Sequence, residues 1–444
     1  MCGFIVTNLP DPDLAAANRY IRHRGPDGTR VREFAGLRFL HNVLSITGPK
    51  TFQPFISGDL ACLFNGEIYN YRTFGQFDSD GECLIPALQE HGREFVNQLD
   101  GEFAIVLFDR KQQLLRLYTD VFATKPMHYG IRGKEFAVAS YASGIHALGF
   151  EHAVRVPANS LIEINLQDGS LHEFSSLFEF KLEQSKNTFD DWEAAFSESI
   201  AKRAKNTRER IFIGLSSGYD SGSIACELSL QGVDFKSFSL LGEEDEQVLN
   251  QRMRLVAEKA ESELISTTPE SVSRAKKYIL DHIEPIRLHI YSEGTGYVGN
   301  PELHRDGGAV GLTMVCEAAQ REGRKIYISG QGADEIISDY GFRGKRHYPH
   351  SNFGGLFPRD LSAIFPWASF YGSTQAAYLT KEEYIAGSFG LETRYPFLDK
   401  KVVQAFLSLS PELKNSHYKS ALHHYLSTRG FPNLYDKKVG FYPR

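Results

Sequence analysis

Cys2 is the residue whose type and position best suit it to chemistry. The chain begins Met1-Cys2-Gly3-Phe4, and removal of the initiator Met would leave a thiol and a free α-amine on one residue. An α-amine titrates near ~8, so it can take the thiol proton directly or through a water molecule. Cys2 can therefore supply both a nucleophile and its general base. Taken alone, a Cys at position 2 is usually only a small residue in a first strand.

Three further segments of the N-terminal half accompany Cys2. They span residues 22–28, 53–55 and 65–70 and contain the sequences Arg-Gly-Pro-Asp, Gln-Pro-Phe and Asn-Gly-Glu. Together with Cys2 they resemble the glutamine amidotransferase domain of the asparagine synthetase family. In that family the N-terminal Cys attacks the side-chain amide of glutamine and releases ammonia.

The resemblance implies roles for five residues around Cys2. Asn65 and the backbone N–H of Gly66 would stabilise the tetrahedral oxyanion, an effect of roughly 3–4 kcal/mol per donor in comparable sites. Ser45, Glu67 and Asp80 would bind the glutamine substrate, with the two carboxylates near its charged α-amine.

A loop in the second half of the chain is typical of phosphate binding. It lies where a predicted strand ends and a helix begins, so backbone N–H groups and the positive end of the helix dipole face an anion. It resembles the Ser-Gly-Gly-x-Asp-Ser loop of enzymes that cleave ATP between the α- and β-phosphates, with Ser217 in place of the first Gly. Ser217 can still donate its backbone N–H and adds a hydroxyl. The loop residues predicted to bind ATP are Leu215, Ser216, Ser217, Gly218, Asp220 and Ser221.

A second loop of this kind follows the predicted strand at residues 325–329. It resembles the Ser-Gly-x-Gly-x-Asp-Glu pyrophosphate loop of the same family and contributes Ser329, Gly330 and Gln331. Two such loops on neighbouring parallel strands form one site. Asp220 and Asp334 are then the predicted Mg²⁺ ligands, since Mg²⁺ usually takes one or two carboxylates and leaves its other positions to phosphates and water.

Three more residues enter through the resemblance. Leu240 matches the strand end that contacts adenine. Glu392 lies in the segment 387–399, which matches a segment of the family, and the resemblance implies a catalytic role for it. Lys438 matches the C-terminal Lys that stabilises charge on the activated phosphate. The cofactors implied are ATP and Mg²⁺.

The resemblance implies two domains with different folds. Residues 1–185 would form an αββα sandwich of the N-terminal nucleophile hydrolase type. Residues 190–444 would form a doubly wound parallel sheet of the ATP-pyrophosphatase type with a helical C-terminal part. The residue patterns agree, because short strands with turn signals fill the first part and strands alternate with helices in the second. Predicted strands span residues 4–8, 36–45, 60–65, 103–109, 114–119, 136–140, 160–166, 211–215, 236–241, 264–267 and 325–329, and predicted helices span 84–99, 192–205, 223–230, 246–260 and 314–322.

Composition excludes several classes of protein. The 444 residues carry a net charge of -6, so no basic surface for nucleic acid is indicated. The five cysteines are widely spaced and odd in number, which predicts neither a disulfide framework nor a zinc site. Because no run of 18 apolar residues and no secretory leader occurs, the sequence predicts a soluble, cytoplasmic protein without a membrane partner. A homodimer is left open.

The implied reaction is the amidation of a carboxylic acid through an acyl-adenylate, with glutamine as the nitrogen donor. Two departures from the family bear on it. Val43 stands where the family has the Arg that binds the α-carboxylate of glutamine, and a lost charge-assisted contact costs ~1.5–3 kcal/mol. Arg38 or Arg30 could replace it. Gln331 stands where asparagine synthetases carry a Glu, and Gln cannot accept a proton.

Several functions therefore remain open from the sequence. The acceptor could be aspartate or, because of Val43 and Gln331, another carboxylic acid. An intramolecular amide ligase resembling β-lactam synthetase would need no ammonia, but it conflicts with the complete set around Cys2. An ammonia-dependent ligase and a non-catalytic sensor of glutamine or ATP are further alternatives.

Overall fold

The computed structural model describes residues 2–205, 207–242 and 244–437, and the chain divides into two compact units. The first unit runs to Glu179 and includes Gly387–Leu391, and the second takes the remainder from Phe180 onward. The domain limits 185 and 190 remain a prediction. No helix within the described ranges is both long and apolar enough to cross a membrane.

Two six-stranded antiparallel sheets form the first unit. Its strands are β1 (Gly3–Thr7), β2 (Gly28–Phe34), β3 (Leu37–Val43), β4 (Phe55–Ser57), β5 (Leu60–Ile68), β6 (Gly101–Asp109), β7 (Leu114–Thr119), β8 (His128–Arg132), β9 (Glu135–Ala139), β10 (Val154–Arg155), β11 (Ser160–Asn165) and β12 (Leu171–Ser175). The first sheet has the order β10-β8-β9-β1-β3-β2, and the second has the order β12-β11-β7-β6-β5-β4.

The core of this unit lies between the two sheets. Phe4 and Phe39 of the first sheet pack with Leu63 and Val106 of the second in one buried apolar cluster. The outer face of the second sheet is covered by helix α2, defined below, in a second cluster. The layers confirm the predicted αββα sandwich.

The helices of the first unit are short. They are α1 (Leu14–Ala17), α2 (Leu84–His91) and α3 (Ala142–Ala147). The predicted helix 84–99 is shorter than expected because Gly92 has a φ of +66°, a conformation that ends an α-helix. The chain continues as the 3-10 helix Gly92–Gln98.

A five-stranded parallel sheet forms the centre of the second unit, with the order β15-β14-β13-β18-β21. The strands of this unit are β13 (Ile211–Gly214), β14 (Phe235–Leu240), β15 (Glu261–Ile265), β16 (Ile290–Ser292), β17 (Tyr297–Gly299), β18 (Ile326–Ile328), β19 (Gly341–Phe342), β20 (Lys345–Arg346) and β21 (Glu392–Arg394). Its helices are α4 (Asp190–Lys205), α5 (Tyr219–Leu230), α6 (Glu246–Ala257), α7 (Pro269–His282), α8 (Gly307–Arg321), α9 (Ala368–Tyr371), α10 (Ser373–Ser388), α11 (Lys400–Leu407), α12 (Pro411–Lys414) and α13 (Ser420–Thr428).

The strand order fixes where the two predicted ATP loops meet. β13 pairs with β14 on one side and with β18 on the other, in parallel register. The chain therefore winds in opposite directions from β13, and the carboxyl ends of β13 and β18 flank a topological switch point, where ligands bind in open α/β sheets. The sequence prediction of a doubly wound parallel sheet is confirmed.

A buried ion cluster ties α4 to the start of α11. Asp399 is almost fully buried, accepts a hydrogen bond from the backbone N–H of Lys401, and pairs with Arg203 at 2.9 Å and with Lys202. Burial opposes ionisation of Asp399, but Arg203 and Lys202 outweigh it and hold its pKa well below the usual range.

We expect Asp399→Asn to lower the free energy of unfolding by about 3–5 kcal/mol, because two cations lose their buried counter-charge. Urea unfolding at pH 7 measures the effect. Since the folded pKa is depressed, the contribution is full above pH ~4 and is lost as the pH falls through the folded pKa. Glu198→Gln is the control, because Glu198 pairs with Lys401 on the exposed surface. Equal losses in both variants would contradict the assignment.

Candidate functional site

Cys2 lies at the start of β1 with its backbone held on both sides. Its backbone nitrogen donates to Asn65 Oδ1 at 2.8 Å, and its carbonyl accepts from Arg24 Nε at 3.1 Å. The Sγ atom lies 3.9 Å from the carbonyl oxygen of Leu44, and the side chain is only half-buried. The nitrogen that becomes the α-amine after removal of Met1 is thus oriented, while the thiol remains reachable.

Asn65 and Gly66 lie next to each other on β5. Asn65 is fully buried, and its Nδ2 has no hydrogen-bond partner among the described residues. Because a buried donor without a partner is costly, this amide suits an anion that forms only during a reaction. Gly66 has a φ of +147°, and a Cβ there would lie 1.9 Å from the carbonyl oxygen of Glu102. Only glycine fits at that position.

The predicted glutamine-binding carboxylates flank the same strand. Glu67 is buried and accepts a hydrogen bond from the hydroxyl of Thr47. Asp80 begins the 3-10 helix Asp80–Cys83 and accepts from the backbone N–H of Ile68 at 2.9 Å. Both buried carboxylates are thus held at β5, the strand of Asn65, and can bind an ammonium group.

A cation that the sequence prediction missed lies beside Val43. Val43 is buried and pairs with Gly28. The Nζ of Lys50 donates to the carbonyl of Asp27, and a Cβ built on Gly28 would lie 3.1 Å from it. The side chain of Asp27 in turn accepts from the backbone N–H of Ser45 at 2.8 Å. Lys50 can therefore take part in binding a carboxylate near Ser45.

The other two candidate cations differ in their surroundings. Arg38 pairs with Glu33 at 2.8 Å and donates to the carbonyl of Leu9, so its guanidinium is engaged elsewhere. Arg30 is exposed and lies over the ring of Phe52.

The two predicted ATP loops contact each other in the second unit. A Cβ on Gly330 would lie 2.9 Å from Cβ of Asp220, so this close approach requires glycine. The loops line a cavity of about 210 Å³. From the predicted set, the cavity lining includes Ser216, Gly218, Asp220, Ser221, Gly330, Gln331 and Asp334.

Lys419 joins the two predicted metal ligands. Its Nζ lies 2.5 and 2.7 Å from the two carboxylate oxygens of Asp220 and 2.8 Å from Oδ1 of Asp334. The hydroxyl of Tyr418 also donates to Asp334 at 3.1 Å. Both carboxylates thus converge on one buried cation. This geometry fits a pair of Mg²⁺ ligands, since two carboxylates that share one ammonium can also share a divalent ion.

Ser217 is placed differently from the prediction. Its backbone N–H donates to Glu244 Oε2 at 2.5 Å, and its hydroxyl donates to the same oxygen. Ser217 is buried and is not among the residues that line the cavity. A carboxylate therefore already occupies the donors that we expected to bind phosphate.

Two buried carboxyl groups that the sequence prediction missed also line the cavity. Burial, followed by the charge of Asp334, raises the pKa of Glu335 to about 7. Burial raises the pKa of Glu382 to about 7, even though Ser329 donates to it at 2.6 Å. Gln331 lies beside them, and its Nε2 is buried without a partner among the described residues. The cavity thus contains groups that can exchange a proton near neutral pH.

Glu392 does not belong to this lining. It lies on β21 and accepts from Arg394 Nε at 2.8 Å, fully buried. Glu382, ten positions earlier on α10, is the carboxylate that reaches the cavity instead.

The remaining predicted residues lie at the edge of the site or outside the described chain. Leu215 is buried and donates its N–H to the carbonyl of Phe238, and Leu240 ends β14. Ser329 contacts the cavity through its bond to Glu382 rather than directly. Lys438 lies outside the described residues.

Comparison with known proteins matches each of the two parts of the chain to a protein family. A family model described as a glutamine amidotransferase domain matches residues 1–180, and one described as asparagine synthase matches residues 191–377 and 367–432. A Methanocaldococcus jannaschii protein, named as a candidate glutamine-hydrolysing asparagine synthetase, is 27% identical over 86% of this chain and 70% of its own length. A glutamine-hydrolysing asparagine synthetase of Brassica oleracea is 25% identical over 93% of this chain and 71% of its own length.

Among solved structures, a glutamine phosphoribosylpyrophosphate amidotransferase from B. subtilis matches 48% of this chain and 60% of its own, at 15% identity and a TM-score of 0.32. That likeness is too distant to support an argument about function.

The two matched domains define a glutamine-dependent ligase that forms carbon–nitrogen bonds, with one unit for glutamine and one that uses ATP. The asparagine synthase model accounts for most of the second unit. The chain belongs to the asparagine synthase family.

We expect Lys50→Ala to raise the KM for glutamine about tenfold, because a charge-assisted contact to the substrate carboxylate is lost. The kcat for glutamate release should change little, since that contact is equal in ground and transition states. Val43→Arg should lower the KM for glutamine. Arg38→Ala is the matched control and should leave that KM unchanged, because the guanidinium of Arg38 is engaged elsewhere. An unchanged KM in Lys50→Ala would contradict the role of Lys50.

Proposed function

We propose that this chain converts a carboxylic acid into its amide through an acyl-adenylate, with ATP as the energy source and glutamine as the nitrogen donor. One observation carries the proposal above all. The two acidic loops at the ends of β13 and β18 converge on the buried ammonium of Lys419, beside a cavity in which burial raises the pKa of Glu335 and of Glu382 to about 7. This arrangement suits the binding of phosphates together with a reaction that releases a proton.

Ammonia would be released at Cys2. The α-amine takes the thiol proton, and the sulfur attacks the amide carbon of glutamine. Asn65 Nδ2 and the Gly66 N–H donate to the oxyanion. The C–N bond breaks, the departing nitrogen takes the proton as ammonia, and water hydrolyses the thioester to glutamate. The amine hydrogen bond to Asn65 at 2.8 Å holds the base next to the thiol throughout.

The carboxylic acid would be activated in the second unit. A carboxylate oxygen of the acid attacks the α-phosphorus of ATP, and the bond to pyrophosphate breaks. Lys419 can donate to the phosphate oxygens once its bonds to Asp220 and Asp334 open. Mg²⁺ bound by these two aspartates would neutralise charge on the departing pyrophosphate.

Ammonia would then displace AMP. Its nitrogen attacks the acyl carbon, the bond to AMP breaks, and one proton must leave the nitrogen. Gln331 can orient ammonia but cannot take that proton. Glu382 is the group we assign as the acceptor, because it lines the cavity and its pKa is raised to about 7.

The lining of the cavity also bears on the acceptor acid. Lys381 Nζ lies 3.4 Å from Asp306 Oδ1, and both side chains are partly exposed to the cavity. Such a long ion pair can open to bind a carboxylate and an ammonium of one ligand. The rings of Tyr348 and His350 stack in the same lining at 5.2 Å. We propose an α-amino acid with a second carboxylate, such as aspartate, and the aromatic lining favours one with a longer side chain.

Purified wild-type protein with ATP, Mg²⁺, glutamine and an acid should form AMP, pyrophosphate, glutamate and the amide. We expect aspartate or a longer α-amino dicarboxylic acid to support the reaction and succinate, which lacks the ammonium, to fail. Cys2→Ala should abolish the reaction with glutamine and retain it with ammonium chloride, because only the first site is removed. Unchanged product formation by Cys2→Ala with glutamine would instead favour an intramolecular ligase.

Glu382→Gln should lower the kcat with ammonia about 100-fold or more, in the range measured for loss of a general base. The base acts only when ionised, so wild-type activity should fall as the pH drops through about 7. The variant should lack that dependence. Glu383→Gln is the matched control, since the neighbouring Glu383 is buried and accepts from Tyr395 at 3.0 Å. A wild-type pH profile retained in Glu382→Gln would assign the base elsewhere.

A further inference from the structure

The chain segment before Lys438 is tied to the first ATP loop. Tyr219 is the first residue of α5 and directly follows Gly218 of the loop. Its hydroxyl donates to the carbonyl of Leu434 and accepts from the backbone N–H of Asp436 at 3.2 Å. One side chain of the nucleotide loop therefore holds the backbone of residues 434–436 through both a donor and an acceptor.

The same hydroxyl fixes a neighbouring imidazole. Nδ1 of His423 lies 3.0 Å from the Tyr219 oxygen. Because the single hydroxyl hydrogen is directed to Leu434, Nδ1 of His423 must carry the hydrogen of this bond. Asp436 is held further by the backbone N–H of Tyr418 at 2.8 Å. Tyr418 immediately precedes Lys419 in the chain. The contacts around Tyr219 therefore extend to Lys419, the cation between the two acidic loops.

Arg252 forms a second connection between the same two segments. Its guanidinium is fully buried and donates to three carbonyl oxygens: Ser216 at 2.7 Å and Gly218 at 2.6 Å in the loop, and Pro432 at 2.7 Å. Gly222 makes this possible, since a Cβ there would lie 2.5 Å from Cζ of Arg252. Three backbone acceptors on one guanidinium fix the distance between loop and segment.

We infer that Tyr219 and Arg252 are positioning residues, which make the placement of residues 431–437 depend on the conformation of the ATP loop. They thereby also set the point from which the chain continues to Lys438. Movement of Ser216 or Gly218 on nucleotide binding is transmitted through both side chains to that segment. The inference rests on the proposed function and deepens it, because it assigns the placement of residues 431–437 to the loop that we propose to bind the phosphates.

Hydrogen exchange of Tyr219→Phe tests the inference. The variant keeps the ring, which packs edge-on to Tyr418, and loses only the hydroxyl. Exchange at residues 431–437 should rise about tenfold without nucleotide, since the Asp436 amide loses its acceptor. The kcat of the ATP-dependent reaction should fall about tenfold while the KM for ATP stays within about threefold. Glutaminase activity should not change.

Tyr425→Phe is the matched control. Tyr425 is equally buried, and its hydroxyl donates to Glu227. Exchange at residues 431–437 that is unchanged in Tyr219→Phe, or that rises equally in both variants, overturns the inference. Failure of the wild-type protein to bind ATP would instead refute the proposed function. The hydrogen exchange of Tyr219→Phe and Tyr425→Phe, measured without nucleotide, would still decide the role of Tyr219.

Discussion

The charge of Lys419 is the constraint on which the nucleotide site depends. The parallel pairing of β13 and β18 brings Asp220 and Asp334 together where their side chains are mostly buried, so the two carboxylates repel each other and lose hydration. A buried pair of like charges persists only with a cation between them, and Lys419 supplies it at 2.5–2.8 Å. On the proposed mechanism, Asp220 and Asp334 would hold a divalent ion instead, and the ammonium of Lys419 could then donate to the phosphates.

The local parts of this site could be predicted from the sequence, because each is encoded by adjacent residues. A buried strand followed by a Ser- and Gly-rich turn indicates a phosphate loop. The two loops of this kind contain Asp220 and Asp334, which the sequence therefore predicts as metal ligands. Lys419 carries no such signal, since it stands far from both loops in the chain and is brought to them only by the packing of α13. The partner of Ser217 could not be predicted for the same reason, because Glu244, from the loop before α6, accepts its hydrogen bonds.

Hydrogen-bond partners distinguish the acid of the α10–β21 region that reaches the cavity from the one that does not. Glu382 and Glu392 are both buried, so burial alone does not separate them. Arg394 lies two positions after Glu392 on β21, so the two side chains share one face of the strand and form an ion pair. Glu382 instead accepts a hydrogen bond from the hydroxyl of Ser329. In the first unit, edge strand β2 was missed because its residues are mostly exposed and show no apolar alternation.

The formation of an acyl-adenylate is the central claim, and isotope transfer tests it most directly. The acceptor acid, labelled with ¹⁸O in its reacting carboxyl group, is incubated with ATP, Mg²⁺ and glutamine, and the AMP is analysed by mass spectrometry. The account predicts one ¹⁸O atom in the phosphate of AMP for each amide formed. Amide formation with unlabelled AMP, or with ADP and phosphate as products, would contradict it.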